Sequence, residues 1–146
     1  MTTSIVSFSL GRLRRLSVIG LLASLLVSSV AVAEDQPIAS VTSADGKVRI
    51  DILSLKRTEA ETLTLRMMIS NNSSDRYDPV LGNTRLIDLT GRRVYNPGLT
   101  SPTCNTQVGQ KQGCYAIFGA PPAGTQKLNI QFYEKLDLIT GVPVSE

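Results

Sequence analysis

From Thr62 to Ser70 the chain alternates without a break. Leu63, Leu65, Met67 and Ile69 fall on one side, and Thr62, Thr64, Arg66, Met68 and Ser70 on the other. Successive side chains of a strand point to opposite faces, so this run fits a half-buried β-strand; a helix would scatter the same apolar set around its circumference. Lys47–Leu55 carries the same signature, with Val48, Ile50 and Ile52 set against Lys47, Arg49 and Asp51. Its phase slips at Leu53-Ser54-Leu55, which points to a β-bulge. Thr58–Glu61 is a short polar connection, so these two runs are expected to pair as a hairpin.

The remaining stretches repeat the theme at spacings of roughly ten residues. Thr84–Leu89 and Arg92–Tyr95 flank Thr90-Gly91, a second hairpin signal. Tyr115–Gly119 and Lys127–Tyr133 are separated by the turn Ala120-Pro121-Pro122-Ala123-Gly124. In the second of these, Leu128, Ile130 and Phe132 alternate with Asn129, Gln131 and Tyr133. Asn71–Asp75 is a loop of residues that bond their own backbone. Tyr77–Asn83 is expected to be irregular or an edge, because Pro79 cannot donate to a ladder. Asn96–Gly113, with two prolines and three glycines, is expected to be a long loop. The tail Leu136–Val144 is apolar enough to pair at an edge, though Gly141 and Pro143 interrupt it. The fold class that follows is all-β: a small antiparallel β-sandwich of about seven strands, with a closed barrel as its structural competitor.

Ahead of these strands lies a segment with the three parts of a secretory signal peptide. Arg12, Arg14 and Arg15 form a basic start, Leu16–Val30 an apolar stretch, and Ala31-Val32-Ala33 a small-x-small cleavage site. The apolar stretch is about 15 residues long, short of the ~20 that a membrane-spanning helix needs. The expected organisation is a signal peptide at 1–33, a flexible leader at 34–45 and the sandwich at 46–146, with no stable membrane anchor after cleavage. Of 15 basic and 12 acidic residues, the signal removes three arginines and no acid. The exported chain is then formally neutral, which argues against nucleic acid as a partner. Cys104 and Cys114, the two cysteines of an exported chain, are expected to form a disulfide that ties down the 96–114 loop.

The order V-x-I-D-I-L-S-L-K-R-T-E at 48–59, T-L-T-L-R-M-M-I-S-N-N at 62–72, R-L-I-D-L at 85–89, Tyr95-Asn96-Pro97, Y-A-I-F-G-A-P-P at 115–122 and V-P-V at 142–144 resembles the immunoglobulin-like, telokin-like domains of exported bacterial proteins. The resemblance covers most of residues 34–146. It implies a two-sheet sandwich outside the cytoplasmic membrane, and it brings no catalytic residues with it. The Trp packed on an inter-sheet disulfide in true immunoglobulin domains has no counterpart here, since the chain has no Trp.

The chain also contains no His. That removes Ser-His-Asp and Cys-His nucleophile activation, the commonest general base and the commonest transition-metal ligand. Asp75, Asp78 and Asn83 match no calcium-loop spacing. Met67 and Met68, as strand neighbours, face opposite ways and do not make a copper site. Asp51, Asp88, Glu59 and Glu61 show no pairing that would mark a glycosidase, and no phosphate-cradling glycine loop is present. The expectation is no catalytic residue, no metal and no cofactor.

Binding is the default. Tyr77, Tyr95, Tyr115 and Tyr133 are the candidate binding residues, because an exposed tyrosine ring anchors protein interfaces and stacks on sugars. Met68, Ile87 and Leu89 place apolar groups on outward strand faces, where a partner could cover them. The expected function is a non-enzymatic exported module, periplasmic or secreted, that binds an envelope or secreted protein through sheet edges and the 96–114 loop. The alternatives are an enzyme inhibitor that projects that loop into a cleft, and a purely structural envelope protein.

Overall fold

Both long alternating runs become ten-residue strands that pair with each other. The computed structural model describes residues 36–133 and 136–146; the signal peptide expected at 1–33 lies outside them. The strands in chain order are β1 (Ala39–Thr42), β2 (Val48–Arg57), β3 (Thr62–Asn71), β4 (Arg85–Ile87), β5 (Val94–Tyr95), β6 (Pro97–Thr100), β7 (Lys111–Gly119), β8 (Lys127–Gln131) and β9 (Ile139–Pro143). They form a five-stranded sheet in the order β1-β2-β3-β7-β6 and a four-stranded sheet in the order β5-β4-β8-β9. Every named pairing is antiparallel. The small antiparallel β-sandwich expected from the alternation is therefore what the described residues form. It has more strands than the alternation indicated, because β1 and β6 are too short to show a period.

The core is built from one face of each sheet. Ile50, Ile52 and Leu55 of β2, Leu63, Leu65, Met67 and Ile69 of β3, and Ala116 and Phe118 of β7 are at most 1% exposed. They meet Leu86, Leu128, Ile130 and Val142 from the other sheet in one apolar cluster. The phase slip in β2 is real: the β2–β3 register shifts between Ile52 and Ser54. The extra residue lets Leu55 turn inward like Ile52, although the two are three positions apart. A second register shift lies between β8 and β9, where Gly141 has φ +68° and donates its N–H to Asn129 Oδ1 at 2.9 Å. That φ suits glycine and lets the Gly141-Val142-Pro143 tail pair as an edge strand.

Two expectations change. The 34–45 leader is not free over its whole length: Ala39–Thr42 pairs with Ile52–Arg49, and the Ile38 N–H reaches the Ile52 carbonyl. Val41 supplies the driving force, because it is buried in the core. The 96–114 loop is shorter than expected. Pro97–Thr100 is an edge strand and β7 begins at Lys111, so only 101–110 connects strands. Pro97 fits that position because an edge strand has one side that needs no donor.

The C-terminus takes over where β1 stops. Ser145 donates to the Leu55 carbonyl and accepts from the Arg57 N–H. The Arg57 guanidinium in turn donates to the Pro121 and Pro122 carbonyls at 2.9 and 3.2 Å and faces Glu146 at 3.6 Å. One side chain thus holds the Ala-Pro-Pro turn and the chain end to β2.

Candidate functional site

The 101–110 connection is held to the body from two sides. Cys104 and Cys114 form the expected disulfide, with Cα atoms 5.8 Å apart and both residues buried. At the other side stands Asn71, fully buried at the end of β3. Its amide Nδ2 donates to the carbonyls of Asp75 at 2.8 Å and Thr106 at 3.0 Å, and its Oδ1 accepts from the Ser73 N–H and hydroxyl. Its backbone pairs with Gln110 and Gly109. Tyr77 and Thr106 exchange both backbone hydrogen bonds, and Thr106 is itself buried. The 71–77 and 104–110 segments are therefore joined to each other by hydrogen bonds, with Val108 exposed at the turn of the connection.

The four tyrosines separate. Tyr77 and Tyr95 are half-buried and pack their rings on the core. Tyr115 and Tyr133 are 36% and 48% exposed. They are not brought together: Tyr115 lies in β7 of the five-stranded sheet, and Tyr133 follows β8 of the other. Tyr133 lines a shallow open cleft of about 310 Å³ together with Asn83, Arg85, Gln131 and Phe132. No carboxylate is among those lining residues.

Tyr115 sits on a more extensive feature. The registers place the outward side chains of the five-stranded sheet on successive rungs, four of which carry the charged and apolar groups. The first holds Arg49, Ser70 and Lys111, the second Asp51, Met68 and Gly113. The third holds Ser54, Arg66 and Tyr115, the fourth Lys56, Thr64, Ile117 and Leu99. Leu99 is 56% exposed, while Met68 and Ile117 are half-buried. An apolar strip thus crosses β3, β7 and β6 on the outside of the sandwich, at the strand that carries Cys114. The alternation of β3 placed Arg66 and Met68 together, but the rungs that join them to Tyr115, Ile117 and Leu99 depend on strand pairings distant in sequence. On the other sheet, Ile87 is half-buried and Leu89 and Val94 are exposed beside the β4–β5 turn.

The carboxylates with shifted acidity shape turns. The Asp45 carboxyl is held below its ordinary value, first by the Ser43 hydroxyl and then by the Lys47 N–H. Asp88 loses some hydration, which pushes its pKa up. Bonds from the Thr90 hydroxyl and from the Arg93, Arg92 and Thr90 backbone outweigh that and leave it lowered. Asp45 is exposed and Asp88 half-buried, and each braces a turn. Among the described residues no three Cys, Asp or Glu side chains gather closely enough to hold a metal ion, and no helix is long and apolar enough to cross a membrane.

No family model matches the chain, and no curated protein matches it. Among solved structures, it is similar to MPT63, a secreted protein from Mycobacterium tuberculosis, with 10% identity and a TM-score of 0.49, over 70% of this chain and 90% of that one.

Proposed function

We propose that this chain is an exported, non-enzymatic β-sandwich module that binds a protein of the cell envelope or its surroundings. The observation that carries the reading is the apolar strip on the outside of the five-stranded sheet, with Leu99 and Tyr115 exposed at its β6–β7 border. Exposed apolar side chains that adjoin one another, rather than scattering singly, mark interaction surfaces, and a tyrosine there supplies contact area at low entropic cost. Export is supported by the three-part segment at 1–33 and by the disulfide, which persists in oxidising compartments. The periplasm or the extracellular space is thus its place of action. A lineage among immunoglobulin-like, telokin-like domains accords with the two-sheet architecture and the strand patterning.

The test is site-specific photo-crosslinking in the producing cell. A photoreactive phenylalanine analogue replaces Leu99 in one variant and Lys127, on the opposite sheet, in another. A discrete heavier adduct is expected from position 99 and none from position 127. Adducts from 127 alone would move the binding surface to the four-stranded sheet and overturn the role given to the apolar strip, and none from either would remove the protein-binding reading.

A further inference from the structure

We infer that the outer face of the five-stranded sheet docks an acidic segment of its partner, one that presents carboxylates around an apolar side chain. This deepens the protein-binding reading above and rests on it. The exported chain is neutral, yet its charge is not evenly spread. The four rungs carry Arg49, Lys56, Arg66 and Lys111 against a single carboxylate, Asp51. Asp51 is paired with Arg49, accepting from its Nε at 2.7 Å and from the Ser40 hydroxyl at 2.6 Å, so the cations that the proposal uses are Lys56 and Arg66. Glu59 and Glu61 belong to the β2–β3 connection, outside the rungs.

The placement of charge around the strip sets the chemistry of the partner. Arg66 shares a rung with Tyr115, and Lys56 shares the next with Ile117 and Leu99. The apolar centre is therefore bordered by cations along β2 and β3, and Lys111 stands two rungs from Tyr115 on the same strand. Gly113 contributes no side chain between Lys111 and Tyr115; Met68 Cε lies 4.0 Å from where its Cβ would stand. The surface is thus low at Gly113, with Met68 and Tyr115 beside it. An apolar side chain of the partner can seat on Met68, Tyr115 and Ile117 while its flanking carboxylates reach Arg66 and Lys56. Such complementarity steers association and fixes orientation, while the desolvated apolar contact holds the complex. An anionic polysaccharide would meet the cations but leave Leu99 and Ile117 without a contact that desolvates them, so a protein segment fits the face better.

The experiment pans a random peptide display library on the processed protein, its N-terminus at Glu34 verified by mass. The library is counter-selected on the double variant K56E/R66E. Enriched peptides are expected to carry net negative charge and at least one large apolar residue. Their affinity should fall roughly tenfold or more for K56E/R66E and by a similar factor for Y115A. It should weaken severalfold between about 0.05 M and about 0.5 M salt. Thermal midpoints of both variants close to the parent establish that the fold is intact. Enriched peptides without acidic character, or binding indifferent to K56E/R66E, would overturn the inference. So would a face occupied only by phosphatidylglycerol vesicles, by polygalacturonate or by a second copy of the chain, with no peptide enriched. A partner that crosslinks at position 99 but docks through a neutral segment would sink this inference alone and leave the protein-binding reading standing.

Discussion

The Asn71 amide should be worth more to this fold than any exposed charge, and two substitutions can measure it. The orientation of its amide is fixed by its surroundings, with carbonyls facing Nδ2 and donors facing Oδ1. Asn71→Ala removes four hydrogen bonds but orphans little. The Thr106 carbonyl keeps the Tyr77 N–H, and the Ser73 hydroxyl, whose single proton faces both Asn71 Oδ1 and the Asp75 carbonyl, is left to donate to the latter. At about 1 kcal/mol net per bond, with partial rescue by water at Ser73, the loss should be about 2–3 kcal/mol. Asn71→Asp is nearly isosteric yet puts a buried carboxylate oxygen against two carbonyl oxygens. At neutral pH it should cost more, about 3–5 kcal/mol. The introduced carboxyl has its folded pKa raised above its unfolded value, because only its protonated form can donate to those carbonyls. Its extra penalty is therefore complete above the folded pKa, shrinks as pH falls through that value, and is gone below the unfolded pKa near 3.9. Urea unfolding of parent and both variants at neutral and mildly acidic pH reads this directly. The reasoning fails if Asn71→Ala lies within about 0.5 kcal/mol of the parent. It fails equally if Asn71→Asp is no worse than Asn71→Ala at neutral pH, or if the gap between them does not close with acid.

Three further outcomes are expected. Replacing both Cys104 and Cys114 by Ser reopens a loop with a sequence separation of 10, which should cost about 3 kcal/mol and lower the melting temperature by about 10–15 °C in scanning calorimetry. An unchanged midpoint would mean that the Asn71 side of the clamp suffices alone. Val80 holds φ +45° and ψ +57°, a left-handed conformation that a β-branched residue adopts at a cost. Val80→Asn should therefore raise stability by about 1 kcal/mol, measured by chemical denaturation, and a loss would contradict the strain argument. The carboxyl of Asp88 should titrate below 3.8 when followed by carbon-detected NMR, and Thr90→Ala should move it upward. Because the folded value is lowered, Asp88 favours the folded state above the unfolded pKa, and that contribution fades as pH falls through the folded value. A midpoint at or above 3.8 would remove the turn bonds as its cause.

The fold was legible where a local period existed. Leu63, Leu65, Met67 and Ile69 are all buried, as their alternation required, and the slip at Leu53-Ser54-Leu55 became a register shift. β1 and β6 escaped notice because four-residue strands offer barely two repeats of a two-residue period. Pro97 and Gly98 also read as loop residues. Only pairing with β2 and β7 makes strands of them, and that pairing is tertiary. The same limit explains Asn71. In sequence it is the first of five turn-forming residues, Asn71–Asp75. Its burial follows from Thr106, far along the chain, lending a carbonyl to its amide.

The candidate face shows the same division between what one strand states and what a sheet creates. β3 alone declares that Arg66 and Met68 point away from the core. The aromatic and aliphatic half of the surface arrives only when β7 lies beside β3 with Tyr115 opposite Arg66, and β6 beside β7 with Leu99 opposite Ile117. Each residue taken singly is ordinary: an exposed arginine, a half-buried methionine, one exposed leucine. Their meaning comes from register, since a slip of one residue would turn Tyr115 and Ile117 into the core and bring Cys114, Ala116 and Phe118 out. The disulfide bears on that register directly. Cys114 sits next to Tyr115 and opposite Met67, on the buried side of the same strand, so the link that pins Cys104 beneath the sheet also keeps the outer face of β7 turned to solvent. The disulfide is in this way coupled to the surface proposed for binding: its loss should weaken peptide capture through disorder of β7 even where Lys56 and Arg66 are untouched.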